Sequence, residues 1–281
     1  MPRKIDSRTQ PTAVPAVHLR RLYVDCRFGQ LHVRSAFPSS GGFDEARTLV
    51  CLHDAGATSA VFRDVLAEFG RDRSVYAPDL PGSGASEVHT TADSIEDHAG
   101  AITEFVDGLR LREFDLLAMR VGSQIAVEVA LALPARVRHL VLVGVPCLSA
   151  EERRARATAI AWPAPREDGG HLMEAWRRVR NAMGPAMPLE ALGETFAERL
   201  HNASGGTALA HAGLAHATAE RLMLLGQPAL VLRAQDDHAD VSGRAAALIP
   251  GARCIDVGGG PRLLEPLAGG LVQQLRVFLD S

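Results

Sequence analysis

The sequence has little lysine, few aromatic residues and no long apolar run. Of its 30 basic residues only Lys4 is a lysine, and against 33 acidic residues they leave a formal net charge of −3. Binding to a phosphate backbone needs a basic surplus, so this balance argues against a nucleic-acid partner. The longest strongly apolar stretch, residues 140–148, is too short to cross a bilayer, and we expect no membrane partner.

The four cysteines are scattered and include no CxxC pair, which argues against a thiolate metal site or a disulfide framework. Their apolar contexts predict buried free thiols in a reducing compartment. Residues 1–16 are polar and lack the apolar core of a secretion signal. We therefore expect a cytoplasmic protein in which residues 1–16 form a polar tail. The cysteines are Cys26, Cys51, Cys147 and Cys254.

Short apolar runs alternate with helical patterns along most of the chain. Residues 149–220 differ, because they contain helical patches and no convincing strand. Two capping boxes, Ser94 with Asp97 and Ser149 with Glu152, mark helix starts. Strands are predicted at 19–25, 30–37, 48–53, 74–80, 114–119, 137–146, 228–234 and 252–257, and helices at 60–70, 94–109, 121–133 and 263–278.

This alternation predicts a mostly parallel sheet covered by helices on both faces. Ligands of such sheets bind at the carboxyl ends of the strands. The residues that follow the strands are therefore the informative ones, and the helical insert lies where it would roof that edge. They are residues 53–56, 120–122, 236–238 and 258–262.

Four segments carry a resemblance to the α/β-hydrolase superfamily. LVCLHDAGATSAVFRDVL is similar to the strand and oxyanion loop, and VYAPDLPGSGAS is close to a loop typical of the family. FDLLAMRVGSQIAVEVALALPARVRHLVLVGVP resembles the strand, elbow, helix and strand around the nucleophile, and PALVLRAQDD resembles the turn that carries the acid. The resemblance implies an eight-stranded, mainly parallel sheet, with a core at 17–146 and 223–281 and a helical cap at 147–222.

The residues that such a hydrolase needs are not in place. No GxSxG motif occurs, and the elbow reads Ala-Met-Arg-Val-Gly with Arg120 at the nucleophile position. A guanidinium stays protonated, so it serves neither as nucleophile nor as general base. Pro261 stands where the resemblance implies the catalytic histidine, and only the acid position, Asp237, is kept. The sequence therefore predicts a degenerate triad, and Ser123 lies three residues past the elbow on another helical face.

Arg120 has two readings that the sequence leaves open. With the Val121 amide and the amino end of the following helix, it would form a clamp for a carboxylate or enolate oxygen. Alternatively, Arg120 pairs with Asp237, since a buried charge needs a partner, and fills a former active-site pocket that binds no ligand.

The other candidate residues also have alternatives. Asp54 is a candidate base, and the Asp54 and Ala55 amides are candidate oxyanion donors; otherwise His53 braces the loop and Asp54 caps it.

Asp237 is a candidate partner of Arg120 or Arg262, and His238 either reaches the pocket or lies on a surface turn. Trp162 is a candidate lining residue of the roof. No HxxxH or HExxH motif occurs, so we expect no metal and no cofactor.

We therefore expect a protein that binds a small, largely apolar carbonyl or carboxylate compound beneath the cap. Any turnover would use non-serine chemistry of the lyase or isomerase type. The alternatives are a non-catalytic ligand sensor or partner subunit derived from a hydrolase, and a hydrolase with a relocated nucleophile. A homodimer is possible on this reading.

Overall fold

The computed structural model describes residues 17–39, 47–87, 92–258, 264 and 269–281. Within them eight strands form one sheet in the order β1-β2-β4-β3-β5-β6-β7-β8. The strands are β1 (Val17–Cys26), β2 (Gly29–Pro38), β3 (Leu49–Leu52), β4 (Val75–Pro78), β5 (Phe114–Met119), β6 (Val137–Val143), β7 (Ala229–Ala234) and β8 (Arg253–Val257).

Ten α-helices accompany the sheet in the described residues, and a 3₁₀ turn at Ser59–Phe62 precedes the first of them. The helices are α1 (Arg63–Phe69), α2 (Ile95–Gly108), α3 (Val121–Ala132), α4 (Ala150–Ile160), α5 (Gly170–Met183), α6 (Leu189–His201), α7 (Ala203–Ala215), α8 (Thr218–Leu222), α9 (Ala239–Leu248) and α10 (Gly269–Leu279).

The sheet confirms the predicted fold class. β1 and β2 pair antiparallel, as do β2 and β4, and every other neighbouring pair is parallel. The carboxyl ends of β3, β5, β6 and β7 therefore meet at one edge, and the residues that follow them are brought together there.

Two apolar layers enclose the sheet. The β3, β5, β6 and β7 side chains on one face pack against α2 and α3, and those on the other face pack against α1 and α10. The inner strands are buried on both faces, which explains their nearly continuous apolar sequences. Burial of this apolar surface is the main stabilising contribution, and it holds the strand ends in place.

Helices α4 to α8 lie between β6 and β7 in the sequence and form the segment predicted as a cap. Trp162, Trp176 and Phe196 pack together with Val179 and Leu192 in an apolar cluster of their own. The cap boundaries at 147 and 222 stay a prediction.

Helix α7 approaches the core loops closely because it carries glycines there. A Cβ on Gly206 would lie 2.7 Å from the backbone of Gly56, and one on Gly205 would lie 1.9 Å from the Gly82 carbonyl oxygen. The loop after β3 is therefore covered directly by helix backbone.

Some local predictions are confirmed and others are wrong. Both capping boxes form, with Asp97 N–H donating to Ser94 Oγ and Glu152 N–H donating to Ser149 Oγ. Helix α9 was not predicted, because its alanines and glycine give no bulky apolar stripe. Cys254 is exposed, since it lies on the edge strand β8.

Of the other three cysteines, Cys26 is half-buried, and only Cys51 and Cys147 are buried as predicted. All four are free thiols. A search of the described residues finds no helix that is both long enough and apolar enough to span a membrane.

Candidate functional site

Arg120 lies at a sharp turn between β5 and α3. Its backbone has φ 48° and ψ −114°, a region that non-glycine residues seldom adopt and that costs about 1–3 kcal/mol. The turn is held because Arg120 N–H donates to the Val143 carbonyl oxygen at 2.7 Å. Gly122 packs against the end of β3, where a Cβ would come within 2.5 Å of the His53 carbonyl oxygen. The elbow geometry is thus present with an arginine at its apex.

Acidic side chains surround the Arg120 guanidinium. Its Nη2 donates to Asp236 Oδ2 at 2.9 Å, and the same nitrogen is 3.7 Å from Asp237 Oδ1. Its Nε is 4.0 Å from Asp54 Oδ2. The shortest contact therefore goes to Asp236, and not to Asp237 as the sequence suggested. Because two acids follow each other after β7, the sequence does not distinguish them.

The Asp54 carboxylate lies at the backbone amide that follows the elbow. Val121 N–H donates to Asp54 Oδ1 at 3.3 Å. In an oxyanion hole this amide faces the oxygen that gains negative charge. Here the chain supplies its own negative oxygen, so the amide already has an acceptor.

His53 braces the loop that carries Asp54. The fully buried ring accepts a hydrogen bond from Leu80 N–H at Nε2, at 2.9 Å. Nδ1 therefore carries the proton and donates it to the Asp54 carbonyl oxygen at 2.8 Å. Both nitrogens are engaged, which makes His53 a positioning residue and leaves it no free nitrogen for a ligand.

His238 and Asp237 form a pair beside Arg120. Nε2 of His238 accepts from Arg156 Nη1 at 3.0 Å, so Nδ1 donates to Asp237 Oδ1 at 2.9 Å. This hydrogen bond holds the pKa of Asp237 well below its usual range; burial opposes the shift, and the positive charges of Arg120 and Arg156 add to it. Asp237 is consequently a weak base.

Ser123, the nearest hydroxyl in sequence, points away from the elbow. Its Oγ donates to the Ala118 carbonyl oxygen at 2.9 Å, and its side chain is fully buried. The hydroxyl is therefore committed to a carbonyl oxygen near the end of β5.

A cavity of about 80 Å³ lies between the elbow and helices α5 and α6. Arg120 and Asp54 form its core side, and Arg199 and Glu198 of α6 form its roof. Its remaining walls are mostly apolar. They are Gly56, Ala57, Val61, Met119, Met183, Thr195 and Leu264.

Arg199 differs from Arg120 in having no direct partner. Within the described part of the chain, no hydrogen bond or ion pair engages its guanidinium. Burial lowers the pKa of Arg199; the charge of Asp54 opposes this shift, and the charge of Arg120 adds to it. The side chain nevertheless stays protonated at neutral pH. The cavity thus contains one neutralised and one unneutralised guanidinium.

The structure brings part of the predicted set together. Arg120 and Asp54 line the cavity, and the Val121 amide donates a hydrogen bond to the Asp54 carboxylate. Trp162 lies in the cap cluster and lines a neighbouring space of about 210 Å³, which shares Arg199 with the first cavity. Ala55 packs against the core cluster beside α3. Arg262 lies outside the described residues, as does Pro261.

Sequence reasoning missed Arg199, Glu198, Thr195 and Met183. They belong to α5 and α6, where no motif of the superfamily marks a position. An arginine on the cap has no sequence signal that separates it from the chain's many surface arginines.

Two groups of histidine and carboxylate come close enough to hold a metal ion. In each group an arginine already contacts one carboxylate: Arg120 donates to Asp236, and Arg221 forms two hydrogen bonds with Glu128. The donor sets therefore suit guanidinium partners, and the expectation of no metal stays a prediction. The groups are Asp236, Asp237 and His238, and Glu96, Glu128 and His216.

Comparisons with known proteins agree with the architecture. A family model described as "alpha/beta hydrolase fold" matches residues 47–180. The chain resembles the enol-lactonase from Burkholderia xenovorans with a TM-score of 0.78 at 19% identity, over 92% of this chain and 100% of that chain. A hydrolase from Pseudomonas aeruginosa gives a TM-score of 0.76 at 20% identity, over 93% and 98%.

Curated relatives match over a shorter range. The 2-hydroxy-6-oxo-2,4-heptadienoate hydrolase of Pseudomonas putida is 31% identical over 116 residues, 36% of this chain and 42% of the relative. The 2-hydroxymuconate semialdehyde hydrolase of a Pseudomonas species is 36% identical over 103 residues, 34% of this chain and 35% of the relative. The chain thus spans about two fifths of the length of these relatives. The eight-stranded sheet, the family model and the structural neighbours agree that this chain has the α/β-hydrolase fold.

Proposed function

We propose that this chain binds a short organic acid in the cavity between the elbow and α6, without serine-hydrolase chemistry. The single observation that carries the proposal is Arg199, a partly buried guanidinium that lines the cavity and has no hydrogen-bond or ion-pair partner among the described residues. A ligand carboxylate would supply the missing acceptor.

The energetics of burial favour an anionic ligand. Partial withdrawal of a guanidinium from water without an acceptor costs solvation free energy, and a hydrogen bond to a charged group contributes about 1.5–3 kcal/mol. A carboxylate on Arg199 removes the first cost and adds the second contribution. Val61, Met119 and Met183 would contact the apolar part of the ligand.

The size of the cavity limits the ligand. One water needs about 10–15 Å³ of such space, so 80 Å³ corresponds to about five to eight non-hydrogen atoms. Acids of three to five carbons fit this limit. The substrate named for the relative in Pseudomonas putida, a heptadienoate, is also a carboxylate, which supports this ligand class.

The groups around the elbow support binding without hydrolysis. Arg120 replaces a nucleophile and is neutralised by Asp236, and the Val121 amide is occupied by Asp54. Asp237, with its lowered pKa, is a weak base. These observations favour the reading of a non-catalytic ligand sensor derived from a hydrolase over non-serine turnover.

A calorimetric titration tests the proposed function, with propionate as the ligand and propionamide as the neutral control of the same size. We expect propionate to bind with a Kd of about 0.1–10 mM, the range for five non-hydrogen atoms, and to be recovered unchanged. Propionamide should bind at least about tenfold more weakly. Equal affinity for acid and amide, or no binding of either, would contradict an anion site.

Replacing Asp54 should tighten binding of propionate. Asp54→Ala removes a negative charge from the cavity wall and frees the Val121 amide, so we expect an affinity gain of about tenfold. Asp54→Asn is the matched variant, which keeps the size and removes the charge. Weaker binding by both variants would show that Asp54 contacts the ligand favourably.

A further inference from the structure

A second group of arginines lies on the outer part of the sheet, away from the elbow. The β1–β2 hairpin and α1 border an open cleft of about 520 Å³. The cleft has no lining residue in common with the Arg120 cavity. It is lined by Leu19, Arg20, Arg21, Arg34, Ser35, Arg63 and Leu66.

Strand register places like charges directly opposite each other in this cleft. Arg21 on β1 is the cross-strand partner of Arg34 on β2. Like charges in such a pair destabilise a sheet. Arg63, the first residue of α1, lines the same cleft. Arg20 lines the cleft as well, with its guanidinium over the Phe37 ring, so four arginines line one space.

The described residues of the chain do not neutralise these charges. Within residues 17–39, 47–87 and the later described ranges, no ion pair is formed by Arg21, Arg34 or Arg63. Burial lowers the pKa of Arg34, and the positive charges of Arg21 and Arg63 lower it further. Asp79 and Glu198 oppose the shift only at a distance.

Buried polar atoms beside the cleft also have no acceptor or donor. Arg34 Nε is buried and makes no hydrogen bond to any residue that the structure describes, and the same holds for the buried Oγ of Ser35. A buried donor without an acceptor is rare in folded proteins. The orphaned Nε of Arg34 is a second observation, independent of the charge count, that indicates a missing anionic acceptor.

We propose that the cleft binds the phosphate group of a soluble phosphomonoester that carries a short apolar chain. A phosphomonoester has a charge of about −1.5 to −2 and three acceptor oxygens, which matches a cleft lined by four arginines better than a carboxylate does. Leu19, 59% exposed, and the buried Leu66 supply apolar contacts for the chain. The cleft volume lies in the range of small-molecule sites and favours a discrete ligand over a flat lipid surface.

Titrations of the whole chain with butyl phosphate, inorganic phosphate and butyrate test the proposal. We expect butyl phosphate to bind more tightly than inorganic phosphate, and butyrate to bind at least tenfold more weakly than butyl phosphate. Binding should weaken between 50 mM and 200 mM salt, because exposed charges are screened. Equal affinity for butyl phosphate and butyrate would overturn the phosphate assignment.

Arg34→Met is the variant of choice because it removes the charge and keeps the length. We expect at least tenfold weaker binding of butyl phosphate with no loss in Tm, since the variant relieves the repulsion with Arg21. Should Arg34→Met fail to fold, Arg63→Gln replaces it, because Arg63 is exposed at the start of α1; the same loss of affinity for butyl phosphate is expected. Arg177→Gln, an exposed arginine of α5, is the control and should bind as the wild type does. Unchanged affinity in Arg34→Met or Arg63→Gln would overturn the proposal.

Vesicles of phosphatidylcholine with phosphatidic acid distinguish the two sources of a phosphate group. The proposal expects the soluble ester to bind and the vesicles to add no affinity. Binding to the vesicles alone would overturn the assignment of a soluble ligand and would indicate a lipid headgroup.

Discussion

Arg199→Ala should weaken the binding of propionate by about 10- to 150-fold. This range corresponds to the loss of about 1.5–3 kcal/mol from a hydrogen-bonded charge in a partly desolvated site. The effect should be large because Arg199 pairs with no residue that the structure describes, whereas Arg120 already binds Asp236. The measurement is the calorimetric Kd of propionate at fixed pH and salt.

Arg177→Ala is the matched control for this variant. It also removes an arginine from a cap helix, but from an exposed position outside the lining residues of the cavity. Its Kd should equal that of the wild type. A similar loss in both variants would point to the net charge of the cap instead of a specific contact, and an unchanged Kd in Arg199→Ala would refute the assigned site.

Glu128→Ala should lower the free energy of unfolding by about 2–3 kcal/mol, or Tm by roughly 3–5 °C. Glu128 of α3 is buried, accepts from His216 at 2.9 Å, and binds Arg221 through both oxygens at 2.7 and 2.6 Å. Its removal leaves a buried histidine and a half-buried guanidinium without their acceptor. Thermal unfolding followed by circular dichroism measures the effect.

Acid pH should reduce the difference between Glu128→Ala and the wild type. Burial raises the pKa of Glu128, but the hydrogen bonds from His216 and Arg221 outweigh it and lower the pKa to about 2. A lowered folded-state pKa stabilises the protein above the unfolded value and loses its effect as the pH falls toward the folded value. The difference should therefore be full at pH 6 and shrink from pH 4.5 downward.

Glu151→Ala, an exposed glutamate at the start of α4, is the stability control and should change Tm little at either pH. A Glu128→Ala protein as stable as the wild type at pH 6 would show that the Glu128 network does not hold α3 to the cap.

The sheet and the elbow were predictable because their signals are local. The sheet could be predicted from apolar strand segments and from glycines in the turns, and the elbow from the sequence at 118–122. The arginine at the apex was likewise evident from the alignment of Asp115 and Pro134 with the pattern of the family.

The contacts of the site were less predictable, because they depend on distances across the fold. Asp54 reaches the Val121 amide across 67 residues, and no spacing rule encodes such a contact. Arg199 comes from a helix without a motif, and its lack of a partner is a property of the packed structure alone. Asp236 and Asp237 are sequence neighbours, so only geometry separates the one that binds Arg120.

The most direct test of the central claim is the intact mass of the protein after incubation with an excess of a fluorophosphonate. A serine activated by a histidine would react and add one phosphonyl group. With Arg120 at the elbow and Ser123 bonded to Ala118, the mass should stay that of the unmodified chain. A stoichiometric adduct on any serine would contradict this expectation and would restore a hydrolase with a relocated nucleophile.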